Sequence, residues 1–297
     1  MRLSSRAQLL LPLLLAATPL LLTARAATQP AAAPSAPADM LKVPGGTFTM
    51  GAVGIGEADE QPAHPVTVKT FWLDRTEVTN AEYGACVKAG KCEPFRDDVA
   101  RRFGAGPESG FRDDNQPVVG VSFHDATHFC EWRGKRLPRE AEWERAARGD
   151  DNRTFAWGNA KPTPDLACYG RKPGAKGATT SPVGSHPSGA GPYGHQDLTG
   201  NVWEWTADLY DPFAYRRVGA PQGIPGSCAE ILETQNHLRK TKQQGFTGRN
   251  PIPTLCERVL RGGAFNYDVA GLRASNRVHH PETWRMLVAG FRCAKDE

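Results

Sequence analysis

The chain has 297 residues, of which 39% are hydrophobic and 23% are charged, and its formal net charge at pH 7 is +4. Three arginines and no acidic residue lie in the first 26 residues, so the rest of the chain carries a formal charge of only +1. So small a charge gives no case for nucleic-acid binding. The roughly 258 residues from Met40 onward suit one large domain or two small ones.

The first 39 residues predict a secretory leader and a tether. Residues 1–26 combine a basic start, an apolar run and a small-residue cleavage pattern, which is typical of a signal peptide. The alternative is an uncleaved anchor helix, which the shortness of the apolar run and its two prolines disfavour. Residues 27–39 are rich in Ala and Pro and predict a tether without a core. We therefore expect an extracytoplasmic protein, periplasmic or secreted, with no membrane span after cleavage.

Short strands and helices are predicted in the first part of the body, which begins at residue 40. Residues 40–50 are predicted to enter a strand, with a turn at Pro44-Gly-Gly46 and alternation from Thr47 to Met50, and residues 64–73 alternate as a second strand. Thr79 opens a short helix with a capping box, and Ser122 caps the clearest helix of the chain. Pro138 begins a third helix, because a proline suits the first helical turn. This part of the body is therefore predicted to mix helices and strands.

The second part of the body is poor in periodic patterns. Residues 154–257 are mostly predicted as loop, and within them 211–258 form a probable insertion with one helix at 229–240. Strand character returns at 258–265 and again at 289–294. Loops of this length in a compact domain indicate a function or bound ions.

Seven cysteines can form disulfides if the protein is exported. Because seven is odd, at least one cysteine stays unpaired within the chain, and Cys168 is the candidate. The sequence alone does not fix the connectivity. The bridges considered are a local loop between Cys86 and Cys92, a staple of the insertion between Cys228 and Cys256, and a long-range tie between Cys130 and Cys293.

Residues 197–206 are the most distinctive segment of the sequence. They place carboxylates at Asp197 and Glu204 and a carboxamide at Asn201 around one glycine and beside two tryptophans. Carboxylate and carbonyl oxygens are the ligands that calcium prefers. The alternative is that Asp197 and Asn201 cap a turn while the tryptophans fill the core.

A series of motifs runs along the body, among them Lys135-Arg-Leu-Pro-Arg-Glu-Ala-Glu-Trp-Glu144 and Gly200-Asn-Val-Trp-Glu-Trp205. In content and order the series resembles the formylglycine-generating enzyme, or sulfatase-modifying factor, family. The resemblance implies an α+β fold related to C-type lectins, with little regular secondary structure. The complete set of motifs comprises residues 43–51, 77–80, 117–122, 135–144, 157–159, 200–205, 261–263 and 290–294.

The resemblance also implies a structural calcium site and one disulfide. The calcium ligands would be the side chains of Asp197 and Glu204 and the carbonyls of Gly200 and Val202. The second calcium site of the family, near residues 166–168, lacks a clear Asn ligand in this sequence. The disulfide that the family implies joins Cys130 to Cys293.

The catalytic cysteines of the family are missing from this sequence. The oxidase of the family uses two cysteines just after its Arg-Gly-Gly motif to bind copper(I), which activates oxygen and converts a substrate cysteine into formylglycine. Copper(I) needs soft thiolate ligands. Residues 261–277 contain no cysteine, and Tyr267 stands at the gapless equivalent of the first thiol. We therefore expect no copper and no formylglycine-generating activity.

The same region lines the substrate cleft of the family. Asp268, Arg273, Arg277 and His279 are therefore candidate cleft residues for a peptide, a sugar or a small molecule. The two arginines could bind an anion by forked hydrogen bonds, or they could form structural ion pairs. Elsewhere, His124 and His128 lie four residues apart on a predicted helix, where a solvated helix face is favoured over a metal site.

Two hypotheses for the function remain. The first is an exported binding or accessory module for an unknown peptide, protein or small-molecule ligand. The second is a non-copper maturation enzyme, an oxidoreductase of the same superfamily, that acts on an exported peptide or natural product. Iron-dependent relatives are joined to a His-rich domain, and this sequence shows none, which disfavours the iron chemistry.

Overall fold

The computed structural model describes residues 39–96, 110–172, 179–216, 227–240 and 254–297. The predicted signal peptide, residues 1–26, and most of the tether lie outside the described residues. The helices are α1 (Asn80–Lys88), α2 (Phe123–Trp132), α3 (Glu140–Arg148) and α4 (Cys228–Lys240). The strands are β1 (Met40–Val43), β2 (Gly46–Met50), β3 (His64–Val68), β4 (Phe71–Asp74), β5 (Trp203–Leu209), β6 (Glu257–Arg261), β7 (Val278–Pro281), β8 (Ala289–Gly290) and β9 (Ala294–Asp296).

The strands form small sheets, and the fold is α+β with little regular structure, as expected. One sheet has the order β1-β4-β9 and a second consists of the β2–β3 pair. The largest has the order β7-β6-β5-β8, in which β5 pairs antiparallel with β6 and parallel with β8. None of the described helices is long and apolar enough to cross a membrane.

Local capping signals place the first three helices where they were predicted. Thr79 forms a reciprocal capping box with Glu82 at the start of α1, and Ser122 forms one with Asp125 at the start of α2. Helix α3 ends at Gly149, whose φ of 60° favours glycine. Helix α4 also falls where the sequence predicted it.

Residues 40–50 divide into β1 and β2 at the predicted turn, and the strand predicted at 64–73 is also divided in two. Strand β1 pairs with β4, whereas β2 pairs with β3, so each predicted strand serves two sheets. Both divisions lie at one close crossing of the chain. The N–H of Gly45 donates to Oγ1 of Thr70 at 3.1 Å, and a Cβ atom added to Gly45 would lie 2.7 Å from the backbone nitrogen of Thr70.

Strand β5 is the main element that the sequence analysis missed. Trp203 to Thr206 are all buried, so the alternation that marks a half-buried strand is absent. The boundaries of the predicted insertion at 211–258 also change. Ala214 and Tyr215 are buried in a hydrophobic core, and β6 begins at Glu257, so both ends of the insertion belong to the domain.

Three disulfides are present among the described residues, and one of them joins segments that are distant in the sequence. The structure contains the pairs Cys86–Cys92, Cys130–Cys293 and Cys228–Cys256. The second pair ties α2 to the segment just before β9, within a core that also contains Trp203, Trp205 and Phe291. Cys168 is the unpaired cysteine, as predicted, and it is buried.

Candidate functional site

Residues 197–204 form a curl that is tightest at 197–201 and runs into the start of β5. Asp197 and Asn201 have φ values of 59° and 58°, in the left-handed region that non-glycine residues rarely adopt. At Gly200 an added Cβ atom would lie 2.6 Å from the carbonyl oxygen of Cys168, so only glycine fits. The curl turns two polar side chains into the interior of the protein.

The curl is held to an earlier segment by side-chain hydrogen bonds. Nδ2 of Asn201 donates to Oε1 of Glu77 at 3.1 Å, and Oδ1 of Asn201 accepts from the N–H of Ser181 at 2.9 Å. Oδ2 of Asp197 accepts from the N–H of Gly184 at 2.6 Å. Asn201 is therefore a bridge between Glu77 and the loop at Ser181.

Glu204 already has a cationic partner within the protein. Its carboxylate is completely buried and accepts from Nε of Arg292 at 2.7 Å, from Nη2 of Arg292 at 2.8 Å and from Nε1 of Trp143 at 2.8 Å. Glu204, which the family resemblance implies as a calcium ligand, is thus already paired with a guanidinium in this structure.

Negative charge exceeds positive charge around this curl. Glu77 is buried, and its Oε2 atom has no hydrogen-bond partner among the described residues. Burial raises the pKa of Glu77 well above its usual value, and the charges of Asp197 and Glu204 raise it further, while Arg292 lowers it. Burial also raises the pKa of Asp197. Three buried carboxylates thus share one guanidinium.

This donor set fits a calcium ion. Glu77 offers a buried carboxylate oxygen without a partner, and Asp197 offers a second carboxylate on the curl whose carbonyls, at Gly200 and Val202, are predicted ligands. In the described ranges no three His, Cys, Asp or Glu side chains are arranged to hold a metal. A cation here would therefore depend on backbone carbonyls as well. Glu77 was not among the calcium ligands expected from the sequence. It lies in the family motif at residues 77–80, and no other feature of the sequence marks it as a ligand.

The two candidate cleft arginines are engaged in buried ion pairs. Arg273 makes a forked pair with Glu60, with both N–O distances at 2.8 Å. Arg277 donates from Nε and Nη2 to Glu140 at 2.6 and 3.0 Å, and Arg261 donates to the same carboxylate at 2.6 Å. The structure thus favours the structural-ion-pair alternative over anion recognition.

The other two cleft candidates lie in different surroundings. Asp268 is exposed and accepts from the backbone N–H groups of Ala270 and Gly271, so it caps a short 3-10 turn. His279 is buried on β7, where Nδ1 contacts the carboxylate of Glu257 and the ring stacks on Tyr210 with a centroid distance of 3.9 Å. Arg277 and His279 thus both pack on Tyr210, and Arg277 also donates to the backbone of Asp59, next to the Glu60 that pairs with Arg273. These three candidates belong to one buried network, whereas Asp268 lies outside it on an exposed turn.

A phenol ring occupies the position that corresponds to the first catalytic thiol. Tyr267 packs edge to face on Trp203, with ring centroids 5.2 Å apart and an interplanar angle of 86°. A Cβ atom added to Gly271 would lie 3.0 Å from the Tyr267 ring, so the ring is also covered from that side. Trp203 itself is buried in β5. This position is therefore filled by a half-buried ring that packs against the core.

The predicted histidine pair on α2 faces solvent. His124 and His128 are both exposed. Nε2 of His124 lies 3.3 Å from the carboxylate of Glu282. This agrees with the solvated helix face that the sequence analysis favoured.

Comparison with known proteins identifies the scaffold. The chain is 31% identical to "Hercynine oxygenase" of Mycolicibacterium smegmatis over 90% of its length but spans only 63% of that protein. It is 37% identical to the mouse protein named "Inactive C-alpha-formylglycine-generating enzyme 2", over 58% of this chain and 70% of that one. The structure of PvdO from Pseudomonas aeruginosa aligns with a TM-score of 0.63 at 26% identity, covering 87% of this chain and 94% of PvdO. The "Sulfatase-modifying factor enzyme 1-like domain" matches residues 25–297, and the chain belongs to that family.

Proposed function

We propose that this protein is an exported binding or accessory module built on the sulfatase-modifying factor scaffold. The observation that carries the proposal is the packing of Tyr267 on Trp203, at the position where the copper-dependent enzymes of the family use a thiol. A half-buried phenol that packs on an indole cannot replace a thiolate ligand of copper(I). The scaffold is thus retained without its reactive centre.

The remaining cysteines do not offer a substitute for the missing thiols. Six of the seven cysteines are in disulfides. Burial raises the pKa of the Cys168 thiol, so the thiolate that binds soft metals is disfavoured. One buried, protonated thiol does not supply the pair of ligands that the copper chemistry requires.

The mouse relative supports a role without catalysis, because its name describes an inactive member of the family. The hercynine oxygenase relative favours the second candidate, an oxidoreductase of the superfamily that does not use copper. This chain spans 63% of that relative. The module is the stronger proposal because Tyr267 stands at the gapless equivalent of the first thiol and the other cysteines do not replace it.

Calcium is the cation that we propose for the curl at 197–204. Its charge would neutralise Glu77 and Asp197, which burial makes costly to ionise. Its role would be structural, since the same curl leads into β5 at the centre of the largest sheet. A metal that binds only the folded state stabilises that state.

Export is supported by three disulfides, because such bonds persist in oxidising compartments. The proposed leader at residues 1–26 is tested by fractionating cells that express the full chain. We expect the mature protein outside the cytoplasm, with an N-terminus near Ala27. Protein that stays in the cytoplasm with Met1 intact would contradict export.

The catalytic question is decided by metal content and oxygen uptake. We expect the purified mature protein to contain calcium and no stoichiometric copper or iron. With copper(I) and a sulfatase-type cysteine peptide we expect no oxygen uptake above that of the peptide and copper alone. An active formylglycine-generating enzyme is the positive control, and a Cys168→Ser variant shows whether any copper retained by the protein is bound at the buried thiol. Copper-dependent turnover would overturn the proposal, and stoichiometric iron would favour the oxidoreductase.

A further inference from the structure

Arg171 places a positive charge inside the segment that corresponds to the second calcium site of the family. Its Nη1 donates to the carbonyl oxygens of Thr179 and Thr180, at 2.5 and 3.2 Å, and its Nη2 donates to Oγ of Ser181 at 2.8 Å. Three neutral oxygens from consecutive residues therefore surround one guanidinium. Carbonyl and hydroxyl oxygens are also ligands for hard cations.

Contacts of Cys168 fix the place of this guanidinium in the fold. The thiol of Cys168 donates weakly to the same Thr179 carbonyl, at 3.9 Å. The positive charge of Arg171 also acts on the thiol, and lowers its pKa against the larger, opposing effect of burial. The guanidinium therefore lies beside residues 166–168, where the sequence analysis located the degraded calcium site.

The backbone of the same segment is tied to the turn after the Arg-Gly-Gly motif. The N–H of Arg171 donates to the carbonyl of Phe265 at 2.8 Å, and the N–H of Gly170 donates to the carbonyl of Tyr267 at 2.9 Å. Arg171 thus connects three stretches of chain: its own segment, the loop at 179–181 and the turn at 265–267. A bound ion would be expected to hold such an arrangement together.

Calcium does not fit at this second position. Residues 166–181 contain no Asp and no Glu, but they contain Arg171, Lys172 and Lys176. Calcium sites in proteins rely on carboxylates to offset the charge of the ion. Within the described residues, the guanidinium of Arg171 donates to three neutral oxygens and forms no ion pair of 4.0 Å or less with a carboxylate. A divalent ion beside it would be repelled.

We infer that the guanidinium of Arg171 takes the place of the second bound cation of the family, so that this chain carries a covalently attached cation at that position. A guanidinium suits the role because its several N–H donors can reach oxygens on consecutive residues. The stabilisation it provides does not depend on the calcium concentration. The inference is independent of the proposed function and of calcium at the 197–204 curl.

The stoichiometry of calcium binding is the first test. We expect titration of the chelator-treated mature protein with calcium, followed by calorimetry or equilibrium dialysis, to show no more than one tight ion per chain. Two tight ions per chain would overturn the inference, because it leaves room for calcium only at residues 197–204. A second tight ion would mean that calcium, and not Arg171, fills the second position.

Substitution of Arg171 is the second test, and thermal unfolding is its readout. Arg171→Met should lower the Tm by about 5 °C, because the three oxygens lose their charged partner. The loss should be the same in excess EDTA and in millimolar calcium. Arg171→Lys, which keeps the charge but has a single donor group, should give a smaller loss and remain measurable if the Met variant does not fold.

Arg133→Met is the matched control, because Arg133 is exposed, pairs with Asp39 at 3.3 Å and should shift the Tm by no more than about 1 °C. An unchanged Tm in Arg171→Met would overturn the inference. So would a smaller calcium-induced rise in Tm for Arg171→Met than for the wild type, because that result would show that Arg171 acts through the calcium proposed at residues 197–204.

Discussion

Arg292 holds Glu204 in a forked ion pair, with N–O distances of 2.7 and 2.8 Å and both side chains completely buried. The same guanidinium donates to the carbonyls of Asp74 and Gln196, at 3.2 and 2.9 Å. It therefore connects β4, β5 and the approach to the curl at 197–204. Because Arg292 pairs with Glu204, the buried carboxylates of the site without such a pair are those of Glu77 and Asp197.

Glu77 is the residue whose substitution should reveal calcium most clearly. In calcium, Glu77→Gln should lower the Tm by roughly 3–6 °C, because a charged ligand is lost. In EDTA the same substitution should not lower the Tm, because burial and the charge of Asp197 disfavour the ionised form of Glu77 in the absence of a cation. Differential scanning calorimetry with and without calcium measures both shifts.

Glu131→Gln is the control for that experiment, because Glu131 is exposed on α2 and should respond to calcium as the wild type does. A wild-type Tm that is the same in calcium and in EDTA would contradict the proposed site. So would a Glu77→Gln variant that retains the full calcium-induced shift.

Glu140 is the shared partner of two buried arginines, and its charge should matter for stability. Glu140→Gln leaves Arg261 and Arg277 facing a neutral amide in the interior. Removing one partner from a buried ion pair costs roughly 3–5 kcal/mol. Denaturant unfolding should show a loss of that size, whereas Asp151→Asn, in an exposed pair, should cost about 1 kcal/mol or less. A loss for Glu140→Gln no larger than that of the control would contradict this role.

Local features of the fold could be predicted from the sequence because they depend on neighbouring residues. The capping boxes at Thr79 and Ser122 each join residues three positions apart, and both helices begin where these signals lie. Strand β5 could not be predicted in this way. Burial on both faces removes the alternation of a strand, and the glycine-rich surroundings resemble a loop.

The roles of charged residues could not be predicted, because their partners are remote in the chain. Glu60 lies 213 positions from Arg273, and Glu140 lies 137 positions from Arg277. A sequence shows that an arginine can bind an anion but not that a carboxylate elsewhere already occupies it. For the same reason Glu77 was missed, since it meets Asn201 only in the folded chain.

The long-range disulfide should contribute more stability than the local one. Cys130 and Cys293 are 163 residues apart, whereas Cys86 and Cys92 are 6 apart. The loop-entropy estimate gives roughly 5 kcal/mol for the first and roughly 2 kcal/mol for the second. Paired Cys→Ala substitutions, compared by denaturant unfolding, should reproduce this order. Equal losses, or a larger loss for the local pair, would contradict the estimate.

Asp208 should make stability depend on pH. It is buried, and its Oδ2 accepts from the N–H of Glu140 at 2.6 Å. Burial and the nearby charge of Glu140 raise the pKa of Asp208 from 3.8 to about 7. Between these two values the folded state keeps a proton that the unfolded state has released. Stability should therefore fall as the pH rises from about 4 to about 7 and change no further through this group above that range.

Asp208→Asn removes this titration, since the amide oxygen can still accept from Glu140. Its stability relative to the wild type should increase with pH by up to roughly 4 kcal/mol and level off above about pH 7. Denaturant unfolding between pH 4.5 and 8 measures the difference. Asp74, whose pKa burial raises to about 6, titrates in both proteins and cancels in the comparison. Parallel stability curves for the variant and the wild type would show that Asp208 is ionised in the folded state throughout.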